Sequence, residues 1–229
     1  MKKIRFGLLA LVVMLSAGAS AQVGFVAGYS NSVAVGSNEG LSGFHAGPVA
    51  EIDVQGPISL QYGLLYNYLR NSSQTTVLGQ TIETSTTAHT LDLPVRLTAK
   101  MTVGEGLNVF FFGGPNFNYA ISEKTKGATS GTINSSIEGE NIYKDEYEAG
   151  KKTYSPFDLQ LGIGAGLGFK DISVRVSYDW GMLDRDNRED YEWKNNDLKL
   201  SLVFNLYVIV YCVFQKVKFV LNLFCLFCK

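Results

Sequence analysis

The stretch FDLQLGIGAGLGF, residues 157–169, places a glycine at every second position in its second half. Nucleotide-binding loops also contain closely spaced glycines, but they need the pattern G-x-G-x-x-G or a following Gly-Lys-Ser/Thr, and this stretch has neither. A period of two is typical of a β-strand, because successive side chains point to opposite faces of the sheet. One face of the strand therefore carries large apolar side chains, and the other carries Gly162, Gly164, Gly166 and Gly168.

The next segment, residues 171–182, continues the alternation after a tight turn at Lys170–Asp171. Its apolar side chains share one face, and its small or charged side chains, which include Arg175 and Asp179, share the other. The two segments are thus predicted to form a β-hairpin with one apolar face. This face either lines the core of a soluble sandwich or contacts lipid around a transmembrane barrel, and alternation by itself fits both environments.

The lengths of the strands and of their connections favour the membrane. Eight segments are predicted to be strands, at roughly 23–30, 41–53, 57–68, 87–100, 106–120, 156–170, 171–182 and 196–207. Most are long enough to cross a bilayer, which takes about 9–11 tilted residues. Long polar connections alternate with short turns; the long ones are residues 31–40, 69–86, 121–155 and 183–195, and the short ones are Val54–Gly56, Met101–Glu105 and Lys170–Asp171.

In an antiparallel meander, every long connection falls at one end of the sheet. Bacterial outer-membrane barrels have this arrangement together with an even number of strands. The sequence therefore predicts an all-β fold, an eight-stranded antiparallel up-and-down transmembrane β-barrel. A soluble exported β-barrel or sandwich that binds a small hydrophobic ligand is the alternative.

The amino terminus predicts export from the cytoplasm. Lys2, Lys3 and Arg5 precede an apolar run that ends in the cleavage pattern Ala19-Ser20-Ala21. We therefore expect a signal peptide at 1–21, a barrel domain at 22–207, and a location in the outer membrane of a Gram-negative bacterium. The formal net charge of −1 gives no reason to expect a nucleic-acid partner.

Aromatic side chains next to the long connections predict an outer girdle at the lipid interface, where an amphipathic ring is stable. The expected girdle consists of Tyr29, Phe44, Tyr66, Tyr68, Phe117, Tyr119, Phe157, Tyr178 and Trp180. Lipid of the outer membrane is accordingly the first expected partner.

Charged residues on the opposite parity predict the contents of the lumen. They are of mixed sign and comprise Glu51, Asp53, Asp92, Arg96, Lys100, Arg175, Asp179 and Lys199. Buried charges persist only when they are paired, and an eight-stranded barrel is just filled by its own side chains. We therefore expect a plugged, ion-paired lumen. Pro48, Pro94 and Pro115 fall inside predicted strands, and a bulge or bend is expected at Pro115, which follows Gly113-Gly114.

With these segments placed, the chain resembles the PorT-like outer-membrane β-barrel domain family of Bacteroidetes over about residues 22–207. The resemblance is carried by LSGFHAGPVAEID, LDLPVRLTAK, VFFFGGPNFNYAIS and FDLQLGIGAGLGF. It implies an eight-stranded barrel in the outer membrane. Many members of that family have no assigned activity, and some are linked to protein secretion or gliding machinery. The resemblance implies no catalytic motif.

The sequence gives little sign of chemistry, and we expect no enzyme, no cofactor and no metal site. A hydrolase built on His45 or His89, the only histidines, is a weak alternative, because no spacing marks a nucleophile. The acidic run at 184–190 lacks the glycine and closing glutamate of a calcium-binding loop. A structural, adhesive or envelope-machinery accessory role is expected instead, with loop 121–155 as the candidate contact for an envelope or extracellular protein partner.

The last 22 residues, 208–229, differ from the rest of the chain. They contain no glycine and all three cysteines, Cys212, Cys225 and Cys228. A terminal membrane helix conflicts with the central lysines, and one C-x-x-C pair cannot fill a tetrahedral zinc site. We favour a non-native extension, and we expect truncation after Tyr207 to preserve or improve assembly of the barrel.

Overall fold

The computed structural model of the chain describes residues 21–37, 39–77, 80–130, 135–148, 150–188 and 191–205. The tail at 208–229 and, apart from Ala21, the expected signal peptide lie outside these ranges. The strands within them are β1 Ala21–Ala34, β2 Gly40–Gln55, β3 Ile58–Gly63, β4 Leu65–Val77, β5 Gln80–Gly104, β6 Leu107–Ser130, β7 Ser135–Glu138, β8 Glu146–Glu148, β9 Lys151–Lys152, β10 Phe157–Phe169, β11 Ile172–Gly181 and β12 Asn195–Asn205. A 3-10 turn spans Ile142–Lys144.

The sheet closes on itself as a barrel. β3 and β4 keep one register against β2 and act as a single strand that is interrupted at Leu64. The antiparallel ring then runs β1, β2, β3/β4, β5, β6, β10, β11 and β12, and β12 pairs back with β1. This closed ring of eight strands is the predicted fold. Within the described ranges, closure leaves no unpaired strand edge toward lipid, where an unsatisfied backbone group is costly.

The alternation of side chains places the two faces of each strand as the sequence indicated. Leu161, Ile163 and Val174 are about half exposed on the outside of the ring. Gly164 faces the interior, where its position is next to the ring of Phe112, and Arg175 is buried there. The barrel is therefore apolar outside and polar inside, the reverse of a soluble protein. No helical segment in the described ranges has the length and apolarity needed to traverse a bilayer.

Pro48 lies at the interruption between β3 and β4. The backbone amide of Leu64 donates to the carbonyl oxygen of Pro48 at 3.0 Å. Gly47 approaches the same segment so closely that a Cβ atom would come 2.0 Å from the Leu64 carbonyl oxygen. The missing donor of Pro48 thus falls where β2 changes its partner from β4 to β3.

Pro115 distorts β6 without changing its register. Pairing with β10 continues through Leu161 opposite Pro115. On the other side of β6, pairing with β5 stops after Asn116 and resumes at Gly113 in the same register. Gly114 between them has φ 149°, and a Cβ there would lie 2.3 Å from the Val95 carbonyl oxygen. The distortion is therefore a local opening of the β5–β6 ladder that depends on this glycine.

Several strands extend further at the outer end than the sequence predicted. The segments at 31–40, 69–86 and 121–155 were expected to be loops. In the structure, β1 extends to Ala34, β4 extends to Val77, β5 begins at Gln80, and β6 extends to Ser130. β5 has 25 residues and β6 has 24, more than twice the roughly 9–11 needed to cross a bilayer. β4 to β7 thus continue beyond the girdle as a four-stranded sheet, which we call the outer sheet.

Candidate functional site: a filled lumen and an outer cap

The glycine face of β10 makes room for bulky groups inside the barrel. A Cβ at Gly164 would lie 2.3 Å from Cζ of Phe112, and a Cβ at Gly166 would lie 2.4 Å from Cζ of Phe110. At Gly162 a Cβ would overlap the carboxylate of Asp179. Only glycine fits at these three positions while the neighbours keep their places. The sequence did not reveal that two inward phenylalanines fill this space.

A cluster of charges occupies the middle of the lumen around Lys199. Its Nζ atom lies 2.6 Å from Oδ2 of Asp92, 3.5 Å from Oδ2 of Asp179 and 3.7 Å from Oδ2 of Asp197. Asp179 also pairs with the guanidinium of Arg96. All five side chains are buried. The structure thus brings four of the expected lumen residues into one network and adds Asp197.

A second group of charges lies toward the inner end of the barrel, where the short turns are. Lys100 pairs with Glu51, whose carboxylate also accepts a hydrogen bond from Ser59. Arg175 donates to the side-chain oxygen of Gln61 and lies 5.7 Å from the centre of the Phe112 ring. Asp53 differs from the expectation, because it is exposed at the end of β2 and makes no ion pair within the described part of the chain.

Neutral side chains complete the network, and the sequence prediction did not include them. Asn118 donates to Oδ1 of Asp92 at 2.6 Å, and Gln160 donates to Oδ2 of Asp197 at 3.0 Å. Asn116 in turn donates to Gln160 at 2.7 Å. Each has the inward parity of its strand, so the same alternation that identified the charges could have identified these amides.

His45 is held between two serines inside the lumen. Its Nδ1 lies 2.7 Å from Oγ of Ser30, and its Nε2 lies 2.9 Å from Oγ of Ser201. All three residues are buried, and no carboxylate in the described ranges hydrogen-bonds to the ring. His89 is on the outer face, with Nδ1 2.5 Å from the hydroxyl of Tyr66. Within the described part of the chain, neither histidine has the orienting carboxylate of a catalytic triad.

Little free space is enclosed among the described lumen side chains. Three cavities lined by described residues measure about 20, 30 and 80 Å³. A single water needs roughly 10–15 Å³ by this measure, so each cavity holds from one to a few waters. The lumen is therefore filled by its own side chains, as an eight-stranded ring predicts. The described residues also contain no cluster of three or more side chains suited to holding a metal ion.

A cap of loop residues covers the outer end of the lumen. The guanidinium of Arg185 donates to the hydroxyl of Tyr143 at 2.5 Å and lies 4.8 Å from the centre of the Trp193 ring. Tyr143 donates in turn to Oε2 of Glu123 at 3.1 Å. Burial raises the pKa of the Tyr143 phenol and of the Glu123 carboxyl, both of which lie beyond the girdle. Arg185 is only 3% exposed and borders the outermost lumen cavity.

Backbone hydrogen bonds join the two halves of this cap. The amide of Ser155 donates to the carbonyl of Arg185 at 2.8 Å, and the amide of Asn187 donates to the carbonyl of Thr153 at 2.9 Å. In the acidic run 184–190, Asp184 accepts two backbone amides and Asp186 accepts from Arg188. These carboxylates accept hydrogen bonds from within their own loop. The two backbone hydrogen bonds dock the segment at 150–155 against that loop.

The nine expected girdle residues lie on the outer surface near the outer end. Eight are exposed by at least 36%, and Tyr68 is half-buried. Several contact one another: the rings of Phe44 and Tyr68 stack at 5.4 Å, and those of Tyr178 and Trp180 meet edge-on at 5.0 Å. Cross-strand pairing aligns Tyr29 with Phe44 and Tyr119 with Phe157. The arrangement is typical of a lipid interface.

Residues 13–187 match the family model described as an outer membrane protein beta-barrel domain. The chain belongs to this family. It is therefore an outer-membrane β-barrel, and the soluble alternative is set aside. No curated protein matches the sequence significantly.

Solved structures with a similar fold come from several outer-membrane proteins. Neisserial surface protein A is 9% identical, covers 81% of this chain and 97% of its own, and has a TM-score of 0.44. The attachment invasion locus protein Ail of Yersinia pestis, in complex with the heparin analogue sucrose octasulfate, is 14% identical over 81% and 99%, with a TM-score of 0.41. The outer membrane enzyme PagL is 14% identical over 80% and 99%, with a TM-score of 0.48.

Proposed function

We propose that this barrel is a non-conducting anchor that presents its outer sheet and cap to a protein partner outside the membrane. The observation that carries the proposal is the filled lumen, in which ion pairs and amides occupy the axis between cavities of tens of cubic ångströms. Such a lumen leaves no transport path among the described residues, so function falls to the surfaces outside the membrane. The role is structural, adhesive or accessory to an envelope machine.

The signal peptide at 1–21 and membership of the PorT-like group of Bacteroidetes are parts of the same proposal. Export to the outer membrane requires a targeting segment of this kind. The proposal also includes the expectation that the protein is not an enzyme.

Exposed apolar side chains beyond the girdle support a binding role. Ile137 on β7 is 72% exposed, and Ile82 on β5 is 44% exposed. The register places both on one face of the outer sheet, since Ile82 lies opposite Thr129 and Ile137 lies opposite Gly127. Large apolar groups exposed to water at the tip of a structure favour a protein contact. Loop 121–155 contributes β7 and the cap residue Tyr143, so it remains the proposed partner segment.

Among the described residues, one edge of the outer sheet is also unpaired. In the outer half of β4, residues 71–77 pair with β5, while β2 pairs with β4 only as far as Arg70. This edge carries no charge and no proline, the devices that commonly block pairing with another strand. It therefore fits an added strand from a partner.

Conductance tests the first half of the proposal. The full chain, folded from detergent into planar lipid bilayers, should show no steady channel. The unchanged protein should already be non-conducting, so the variants Lys199→Ala and Asp92→Ala are not required for this test. A stable conductance of the unchanged protein would contradict the anchor proposal.

Partner capture tests the second half. The double variant Ile82→Ser, Ile137→Ser should lose a partner that the unchanged protein captures from cell envelopes or from the culture medium. The matched control is Lys126→Ser, Glu138→Ser, which alters an exposed ion pair in the same sheet. Equal capture by both double variants would exclude this face as the contact.

A further inference from the structure

Among the described residues that project into the lumen, one cation differs from the others. Arg96 pairs with Asp179, Lys100 with Glu51, and Lys199 with Asp92. Arg175 is 9% exposed, yet no carboxylate of the described chain lies within 4.0 Å of its guanidinium. Its contacts are a hydrogen bond to neutral Gln61 and the face of the Phe112 ring.

This arrangement leaves a buried positive charge only partly compensated. An aromatic face and one amide oxygen stabilise a guanidinium less than a carboxylate does. A charge that is taken out of water without a counter-ion is strongly unfavourable. The site therefore favours an anion that approaches from solvent.

A cavity of about 80 Å³ lies beside Arg175 at the inner end of the barrel. It is also bordered by the cations Lys100 and Lys170 and by polar side chains that can donate hydrogen bonds, namely Asn108, Ser173 and Asn205. The acid at its wall, Glu51, is already paired with Lys100. The space exceeds that of a single water several times, so a small anionic group fits.

We propose that this inner cavity binds a carboxylate or phosphate group, with the guanidinium of Arg175 as its main contact. A planar guanidinium offers parallel N–H donors that match both groups. Lys100 and Lys170 add positive potential at the cavity wall. The inner end carries the short turns, which face the periplasm in bacterial barrels. The anion is therefore either a free periplasmic ion or an acidic group of a periplasmic macromolecule.

Titration of the folded full chain in detergent tests this site. Inorganic phosphate and acetate serve as free anions, and a hexaglutamate peptide represents a macromolecular carboxylate; sodium chloride at equal ionic strength is the reference. Heat release and the midpoint of thermal unfolding are measured for the unchanged protein, for Arg175→Met and for Arg175→Lys. The control is Arg188→Met, which removes an arginine from the outer loop.

We expect saturable binding and a raised unfolding midpoint in the unchanged protein and in Arg188→Met. Arg175→Lys, which keeps the charge and should fold, should bind about tenfold more weakly because the paired donors are lost. Arg175→Met should lose binding. Preference for the peptide identifies a macromolecular source, and preference for phosphate or acetate identifies a free ion. The proposal is overturned if chloride produces the same shift, or if Arg175→Lys binds as tightly as the unchanged protein. The conductance and capture results do not depend on this outcome.

Discussion

The membrane-embedded wall and the outer sheet share strands, yet lipid surrounds the wall and water surrounds the outer sheet. In the wall, apolar groups such as Leu161 face outward and charges such as Lys199 are buried inside. In the outer sheet, hydroxyl pairs link neighbouring strands, as between Thr86 and Thr125 at 3.0 Å, and both faces are largely polar. The difference shows that the surrounding medium, lipid or water, determines which side chains each segment can expose.

Adding volume to the glycine face should have the largest effect on this contrast. Gly164→Val places new atoms against Phe112, where its Cβ alone would lie 2.3 Å from Cζ, so the cost should exceed the roughly 1–3 kcal/mol typical of overpacking and should prevent closure of the barrel. We expect loss of the heat-modifiable folded band on gels. The matched variant Ala165→Val changes the adjacent residue, which faces lipid, and should fold normally. Equal behaviour of the two variants would contradict the assignment of the faces.

Removing the central cation should come next in size. Lys199→Met leaves Asp92 and its neighbouring carboxylates buried without their main partner and should destabilise the barrel by about 3–5 kcal/mol. The measurement is the urea midpoint of folding into lipid vesicles. A second change, Asp92→Asn in the same chain, should recover part of the loss, since one uncompensated charge disappears.

The outer sheet supplies the comparison for that experiment. Lys126→Met breaks the ion pair with Glu138. The side chains of Lys126 and Glu138 are 61% and 59% exposed. Exposed ion pairs are screened by solvent and contribute little. The urea midpoint should therefore hardly move. A loss as large as that of Lys199→Met would mean that the outer sheet is as essential to folding as the lumen.

The smallest expected effect is a dependence of the cap on pH. Burial raises the pKa of Glu123, so the folded cap binds its proton more tightly than the open loop does. The cap should therefore be most stable below the ordinary pKa of glutamate and should loosen as pH rises through the raised value. In a Trp180→Phe background, Trp193 is the remaining tryptophan and reports cap opening by fluorescence. Glu123→Gln should abolish the pH dependence.

Alternation along the chain determined much of the fold. The period of two in 157–169 and 171–182 depends only on backbone geometry, so it predicted which side chains point inward. The same parity predicted that Asp92, Arg96 and Lys199 would face the lumen, and the aromatic positions predicted the girdle. The ends of the strands were harder to predict from the sequence, because the Ser- and Thr-rich segments near Val77 and Ser130 are polar on both faces and show no alternation of polar and apolar residues.

Pairing across the ring was decided by the tertiary structure. Asp92 and Lys199 are 107 positions apart, and Arg96 and Asp179 are 83 apart, so only closure and stagger of the barrel bring them together. The same holds for the fit of Phe110 and Phe112 against glycine and for the contact of Arg185 with Tyr143. The sequence by itself determined the direction of each side chain, since direction is local. The tertiary structure decided its partner, because distance across a closed sheet is set by the register of all eight strands.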